Sequence, residues 1–279
     1  MSDAPWQALI DTHVHVWDAR RLGYPWLDEN LQLPRTVLPP RIENGPRSVF
    51  VQADASPQDA LNEVRWVESL GWRSLVAIVA YAPVHLGAAV GTHLAVLCAG
   101  HPLVRGVRRL LQEEPAGCLD AAAYAAGLRA VARTGLVFEV TARFEQLVEF
   151  AAIHATAPDA TVVWDHLGNP PIYDGIDSDA GRVWLAGLRA AAAQPNAVVK
   201  LSGAAAVSDR GTDFVLAALD AFGVERAVLG SDRPLSVELG DDAYASWAAT
   251  AGDGLGLNDA ERTRLRSETA ARVYRLATD

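Results

Sequence analysis

The chain has 279 residues, 50% of them hydrophobic, and a formal net charge of -10. That length and apolar content suffice for a large buried core and exclude a disordered chain. The acidic balance argues against nucleic acid or an anionic membrane as partner and leaves a small molecule as the expected ligand.

Eight short runs rich in β-branched residues alternate with longer, alanine-rich stretches of helical pattern. That is the count expected of a closed (β/α)8 TIM barrel, here a single domain over residues 1–279. The runs lie near 8–15, 48–53, 74–80, 104–108, 135–140, 161–166, 197–202 and 226–231. In the first, alternate side chains of a strand leave the same side, so His13 and His15 point together at its carboxyl end. In such a barrel that end faces the active site. The irregular segment from Trp17 to Pro46 also carries Pro25, Pro34, Pro39 and Pro40, and it is expected to cover the pocket mouth.

After the second run, Ser56 is expected to cap a helix, with Pro57 at its first position and Asp59 completing a capping box. Leu61, Val64, Val67 and Leu70 form its apolar stripe, and Gly71 ends it. The alanine-rich stretches 121–126 and 189–193 read as outer-ring helices. Asn258 and Glu261 box the start of a last helix that runs to Tyr274 and is expected to pack outside the barrel. Cys98 and Cys118 have neither disulfide nor zinc spacing and read as buried thiols. Residues 1–7 lack a basic stretch followed by an apolar one, and no apolar run is long enough to span a bilayer. A soluble cytoplasmic protein is expected, with room for a homo-oligomer.

Polar residues gather where the runs end. His166 stands where an apolar strand opens into a loop rich in glycine and proline. Asp232 ends the eighth run, where a carboxylate can bind a metal or take a proton from water. Arg108, on the fourth run, can bind a carboxylate or polarise a carbonyl. Gln52, Trp17, Arg109, Lys200 and Ser202 are candidates for substrate contact, and Glu139 is a further polar strand end.

These segments resemble the amidohydrolase superfamily, and within it the amidohydrolase-2 branch of sugar-acid and dicarboxylate lactonases. The resemblance rests on Asp11-Thr12-His13-Val14-His15-Val16-Trp17-Asp18, Tyr24-Pro25-Trp26-Leu27, Gly106-Val107-Arg108, Asp165-His166-Leu167-Gly168, Lys200-Leu201-Ser202-Gly203 and Gly230-Ser231-Asp232. It implies a catalytic centre where His13, His15, His166 and Asp232 meet, holding one divalent metal, zinc or manganese, or none. No lysine on the fourth or fifth run is available for a bridging carbamate, so two metals are not expected. The chain departs from the pattern at Arg233 (usually tryptophan), Asn169 (usually lysine) and Thr269 (usually asparagine). The implied reaction is opening of a small lactone, with Asp232 as base and His166 and Arg108 steadying the carbonyl oxygen. The alternatives are a decarboxylase or hydratase of the same superfamily, or a barrel that binds a sugar acid without turnover if Arg233 fills the water position.

Overall fold

The computed structural model describes residues 9–43 and 45–277, so the segment read above as lacking a leader lies outside the described residues. Eight parallel strands form the sheet: β1 (Ile10–Val14), β2 (Arg47–Val51), β3 (Leu75–Tyr81), β4 (Val104–Leu110), β5 (Val137–Thr141), β6 (Val162–Trp164), β7 (Ala197–Leu201) and β8 (Ala227–Leu229). Each pairs with its neighbour in sequence. The ring is joined just past β8, where Asp232 N donates to His13 O and His15 N donates to Arg233 O, both at 2.8 Å. This is the (β/α)8 TIM barrel that the alternating pattern predicts. The sixth strand stops at Trp164, because His166 and Leu167 turn the chain with φ of 54° and 55°.

Ile10, Val49, Val51, Ala77, Val79, Val137, Val163, Val198 and Val228 pack together inside the barrel. Two residues further along their strands, Glu139, Asp165 and Lys200 face the same interior by alternation, and all three are buried. The interior is thus apolar at one end and ionic toward the carboxyl ends of the strands. On β1 strict alternation fails, since both Ile10 and His13 face inward. The pairing of β1 with β2 shifts register between Asp11 and Val14, a bulge that turns the two histidines into the barrel.

Helices clothe the outside, and the alanine-rich stretches lie in Ala121–Thr134 and Asp179–Ala192. Three local expectations are corrected. Ser56 makes no cap to a backbone N–H; the chain enters helix α1 (Ala60–Ser69) through a single tight turn, Pro57–Asp59. The Asp59 carboxylate accepts instead from Gly23 N at 2.9 Å, tying down the long segment after β1. The last helical segment does begin with the Asn258–Glu261 box. Its end, however, does not lie outside the barrel: Ala270, Val273 and Tyr274 pack against the interior valines. Tyr274 Oη donates to Glu139 from within. Cys98 and Cys118 are exposed, not buried. No helix among the described residues is long and apolar enough to cross a membrane.

Candidate active site

The site begins with Asp11. Its Oδ1 accepts from His13 N (3.0 Å) and Ser231 N (2.9 Å), and its Oδ2 accepts from Ser231 Oγ (2.6 Å) and Tyr244 Oη (2.9 Å). Burial pushes its carboxyl up to about 6 against these bonds. One side chain thereby staples the end of β1 to the loop after β8 and sets Asp232 beside the histidines. The close approach needs Gly230, where a Cβ would come within 2.6 Å of the His13 Cβ. Asp232 itself has φ of 54°, a left-handed conformation held for a non-glycine residue by its surroundings.

His15 Nδ1 lies 2.8 Å from Val51 O, an acceptor only, so Nδ1 carries the proton and Nε2 presents its lone pair. His15 Nε2 is 3.1 Å from His13 Nε2, and Asp232 Oδ1 is 3.5 Å and 3.6 Å from the two. Three atoms so spaced share a point about 2 Å from each, the length of a zinc–nitrogen or zinc–oxygen bond. Asp232 Oδ1 is buried with no hydrogen-bond partner among the described residues. His166 joins this group: its ligand atom, that of His13 and an Asp232 oxygen all lie within 4.8 Å of one another. These residues fit one divalent metal ion.

Ser202 Oγ holds His166 through Nδ1 at 2.9 Å. Gly203, at φ of 76°, lets the chain pass under that ring, where a Cβ would sit 2.9 Å from Nδ1. Burial holds His166 below its ordinary value against the pull of Asp232 and Asp165. Burial and Lys200 do the same to His13. For Asp232, burial acts upward, but His166, His15 and His13 outweigh it and keep the carboxylate ionised.

Below lies an ionic floor. Lys200 Nζ is 2.5 Å from Glu139 Oε2 and 3.0 Å from Asp165 Oδ1, with no exposure on any of the three. Burial pushes Glu139 upward, partly offset by Lys200. Asp165 stays ionised because Lys200, His13 and Arg108 outweigh its burial. Its Oδ1 faces His13 Nδ1 at 3.6 Å and its Oδ2 faces Arg108 Nη1 at 3.5 Å. An ammonium therefore already supplies the cation between these two acids.

Above the site opens a cavity of about 360 Å³, lined by His15, Trp17, Trp26, Asp54, Arg108, Thr141, His166 and Asp232 among others. Trp17, Trp26, Glu29 and Asn30 come from the proline-rich segment after β1, so that segment does form part of the mouth.

His13, His15, His166, Asp232 and Arg108 are thus together, and Trp17 lines the same cavity. The remaining candidates are placed differently. Arg109, next to inward-facing Arg108, turns outward and binds Glu114 at 2.8 Å, so it is not a substrate contact. Lys200 is sealed in the floor, and Ser202 is fully buried behind His166; both support the site instead of touching a ligand. Gln52 is buried too, with Oε1 accepting from Asp54 N. Arg233 leaves the space beside Asp232 open, since its guanidinium reaches Leu38 O (3.3 Å), Leu239 O (3.1 Å) and the Tyr244 ring. Asn169 bonds Ala142 O, and Thr269 bonds Val224 O, both away from the metal-binding group. The residues the sequence reading gave no role are Asp11, Asp165, Ser231, Thr141 and Tyr274. A polar side chain one or two residues before a key histidine or aspartate was the signal for the first three.

A barrel that gathers histidines from the ends of its first and sixth strands and an aspartate from past its eighth around one metal-sized point has the site of a barrel hydrolase that could hold one metal ion. The chain belongs to the amidohydrolase family, whose model matches residues 10–276. It is 32% identical over 301 residues to the L-fucono-1,5-lactonase of Burkholderia multivorans, with 96% of each chain covered. Two crystal forms of an amidohydrolase from Burkholderia multivorans share its fold, each covering 96% of this chain and 99% of that one. The form with bound HEPES is 29% identical at a TM-score of 0.78, and the form with bound zinc is 28% identical at 0.76.

Proposed function

We propose that the protein is a single-domain lactonase that opens the ring of a small sugar-acid lactone, or a related carboxylated lactone, by adding water to its carbonyl. The observation that carries this is the convergence of His13 Nε2, His15 Nε2 and Asp232 Oδ1 on one point beside His166 and Arg108, at the base of a cavity of lactone size. The lactonase among the relatives agrees with it, and the zinc bound by the Burkholderia amidohydrolase supports zinc as the ion.

His13, His15, His166 and Asp232 would hold the ion, whose chemical contribution is to lower the pKa of water toward neutrality. Asp232 is ionised and buried, and it takes the proton of the attacking water. Arg108 keeps an unpartnered Nε–H and, with His166, faces the carbonyl oxygen as negative charge develops there. The water oxygen bonds to the carbonyl carbon, the ring carbon–oxygen bond breaks, and the proton passes from Asp232 to the departing alkoxide. The product is an open hydroxy acid, and no serine or cysteine nucleophile is needed.

The test is acid release from a panel of aldonolactones and aromatic-degradation lactones near neutral pH, with product mass and metal content read on the same sample. The product should gain one water and lose no carbon dioxide, which separates hydrolysis from decarboxylation. Chelation should abolish the rate, and zinc or manganese should restore it. Asp232→Asn should lower kcat by about 10²–10⁴ with the fold retained. Full activity in that variant refutes the assignment.

A further inference from the structure

The mouth of the cavity carries an excess of acid. Among its lining residues, Glu29, Asp54, Glu113 and Asp232 are carboxylates, whereas Arg108 is the one guanidinium. Asp232 is committed to the histidines, and Arg108 shares its charge with Asp165 at 3.5 Å. Glu29, Asp54 and Glu113 form no ion pair, and their carboxylates accept no hydrogen bond, among the described residues. Two indoles belong to the same lining, Trp17 fully buried and Trp26 half-buried, and both give their N–H groups to backbone, to Pro34 O and Ala53 O at 2.8 Å. The rim therefore presents a ligand with three unpaired carboxylates and no cation beyond Arg108. A ligand that matches brings hydroxyl donors and a carbon–hydrogen face, and it carries no anion of its own.

A sugar-acid lactone meets that description, because its one carboxyl is tied up in the ring ester. A lactone with a second, free carboxylate does not. Hydrolysis also changes the sign of the fit, since a neutral ring becomes a hydroxy carboxylate.

Resting on the lactonase reading above, we infer that Glu29, Asp54 and Glu113 are a charge filter that selects uncharged polyhydroxy lactones over carboxylated ones and drives out the carboxylate product. The filter acts at the rim by like-charge repulsion and weakens as salt screens it.

A matched pair of substrates tests this: an aldonolactone, and the aldaric-acid monolactone of the same skeleton with a free carboxylate at its far end. The metal-loaded enzyme should favour the aldonolactone in kcat/KM by at least about tenfold, the factor that about 1.4 kcal/mol of repulsion produces. The variant Glu29→Gln/Asp54→Asn/Glu113→Gln should lower that ratio by roughly tenfold, as should raised ionic strength on the native enzyme. Glu29 and Glu113 are exposed, and asparagine tolerates the φ of 58° at Asp54, so the variant should fold. Calorimetry with the aldonate and the uncharged alditol of the same skeleton reads the filter without turnover: the aldonate should gain about tenfold over the alditol in the variant. A native preference near one, or a preference the variant does not move, overturns the inference. If neither lactone turns over but the aldonate gains in the variant, the filter stands and the hydrolytic reading falls.

Discussion

Replacing Lys200 with methionine tests whether the ionic floor supports the site. The substitution removes an ammonium 2.5 Å from Glu139 and 3.0 Å from Asp165, where none of the three side chains touches solvent. Removing one partner of a buried ion pair costs about 3–5 kcal/mol, because the other is left charged and unpaired. Glu139 can relieve its share by taking a proton, since burial already pushes it upward and Tyr274 still donates to it. Asp165 has less relief, because Arg108 and His13 hold it ionised. The expected loss is therefore near the lower end, about 3 kcal/mol, or roughly 5–10 °C in Tm. Urea unfolding followed by circular dichroism measures it. The double variant Lys200→Met/Glu139→Gln should recover part of the loss, since it removes one stranded acid. Asp165 also faces His13 Nδ1, so the single variant should lose about 10–100-fold in metal affinity. Native stability together with native metal affinity in Lys200→Met would refute the supporting role.

Ser202→Ala frees the His166 ring from its 2.9 Å bond, and it should lower metal affinity or kcat by about 10–100-fold while Tm hardly moves. Titrating metal into apoprotein and assaying the reloaded enzyme separates the two. Glu63, buried under the segment after β1, accepts from Tyr24 Oη and Ala53 N, both at 3.1 Å, and burial raises its carboxyl from 4.5 to about 7. Between those values the folded chain binds more protons at this site than the unfolded one, so its contribution is fully present below 4.5 and is lost as pH rises through 7. The loss amounts to about 3 kcal/mol. Glu63→Gln keeps the acceptor and should flatten the stability profile over that window; an unchanged slope in urea titrations at several pH values would count against it.

The strands were readable because each is a short apolar run bounded by turn residues, and the outer helices because alanine and leucine recur at helical spacing. The paired aim of His13 and His15 followed from alternation, whereas Arg108 and Arg109 both read as candidates and only the structure separated the inward one from the outward one. The periodic signal failed at the ends of elements. Ser56 looked like a cap, yet Asp59 is drawn away by Gly23, a partner 36 residues distant in the chain. The segment ending at Tyr274 looked like another outer helix, because nothing local says that its last turn enters the barrel.

By itself the sequence determined the barrel and the rim at which polar residues gather, because both follow from periodicity and residue type along a few neighbouring positions. Only the tertiary structure decided which polar side chains line the cavity and which hold others in place. Lys200 and Ser202 read as contacts but lie in the floor; Asp11 read as a motif letter but joins the barrel's first and last strands. Those roles depend on distances between residues as much as 233 positions apart, as from Asp11 to Tyr244, and on a bulge in β1 that one-residue changes of register create. Hydrogen bonds and buried charges are satisfied in space, so their partners cannot be read from order along the chain.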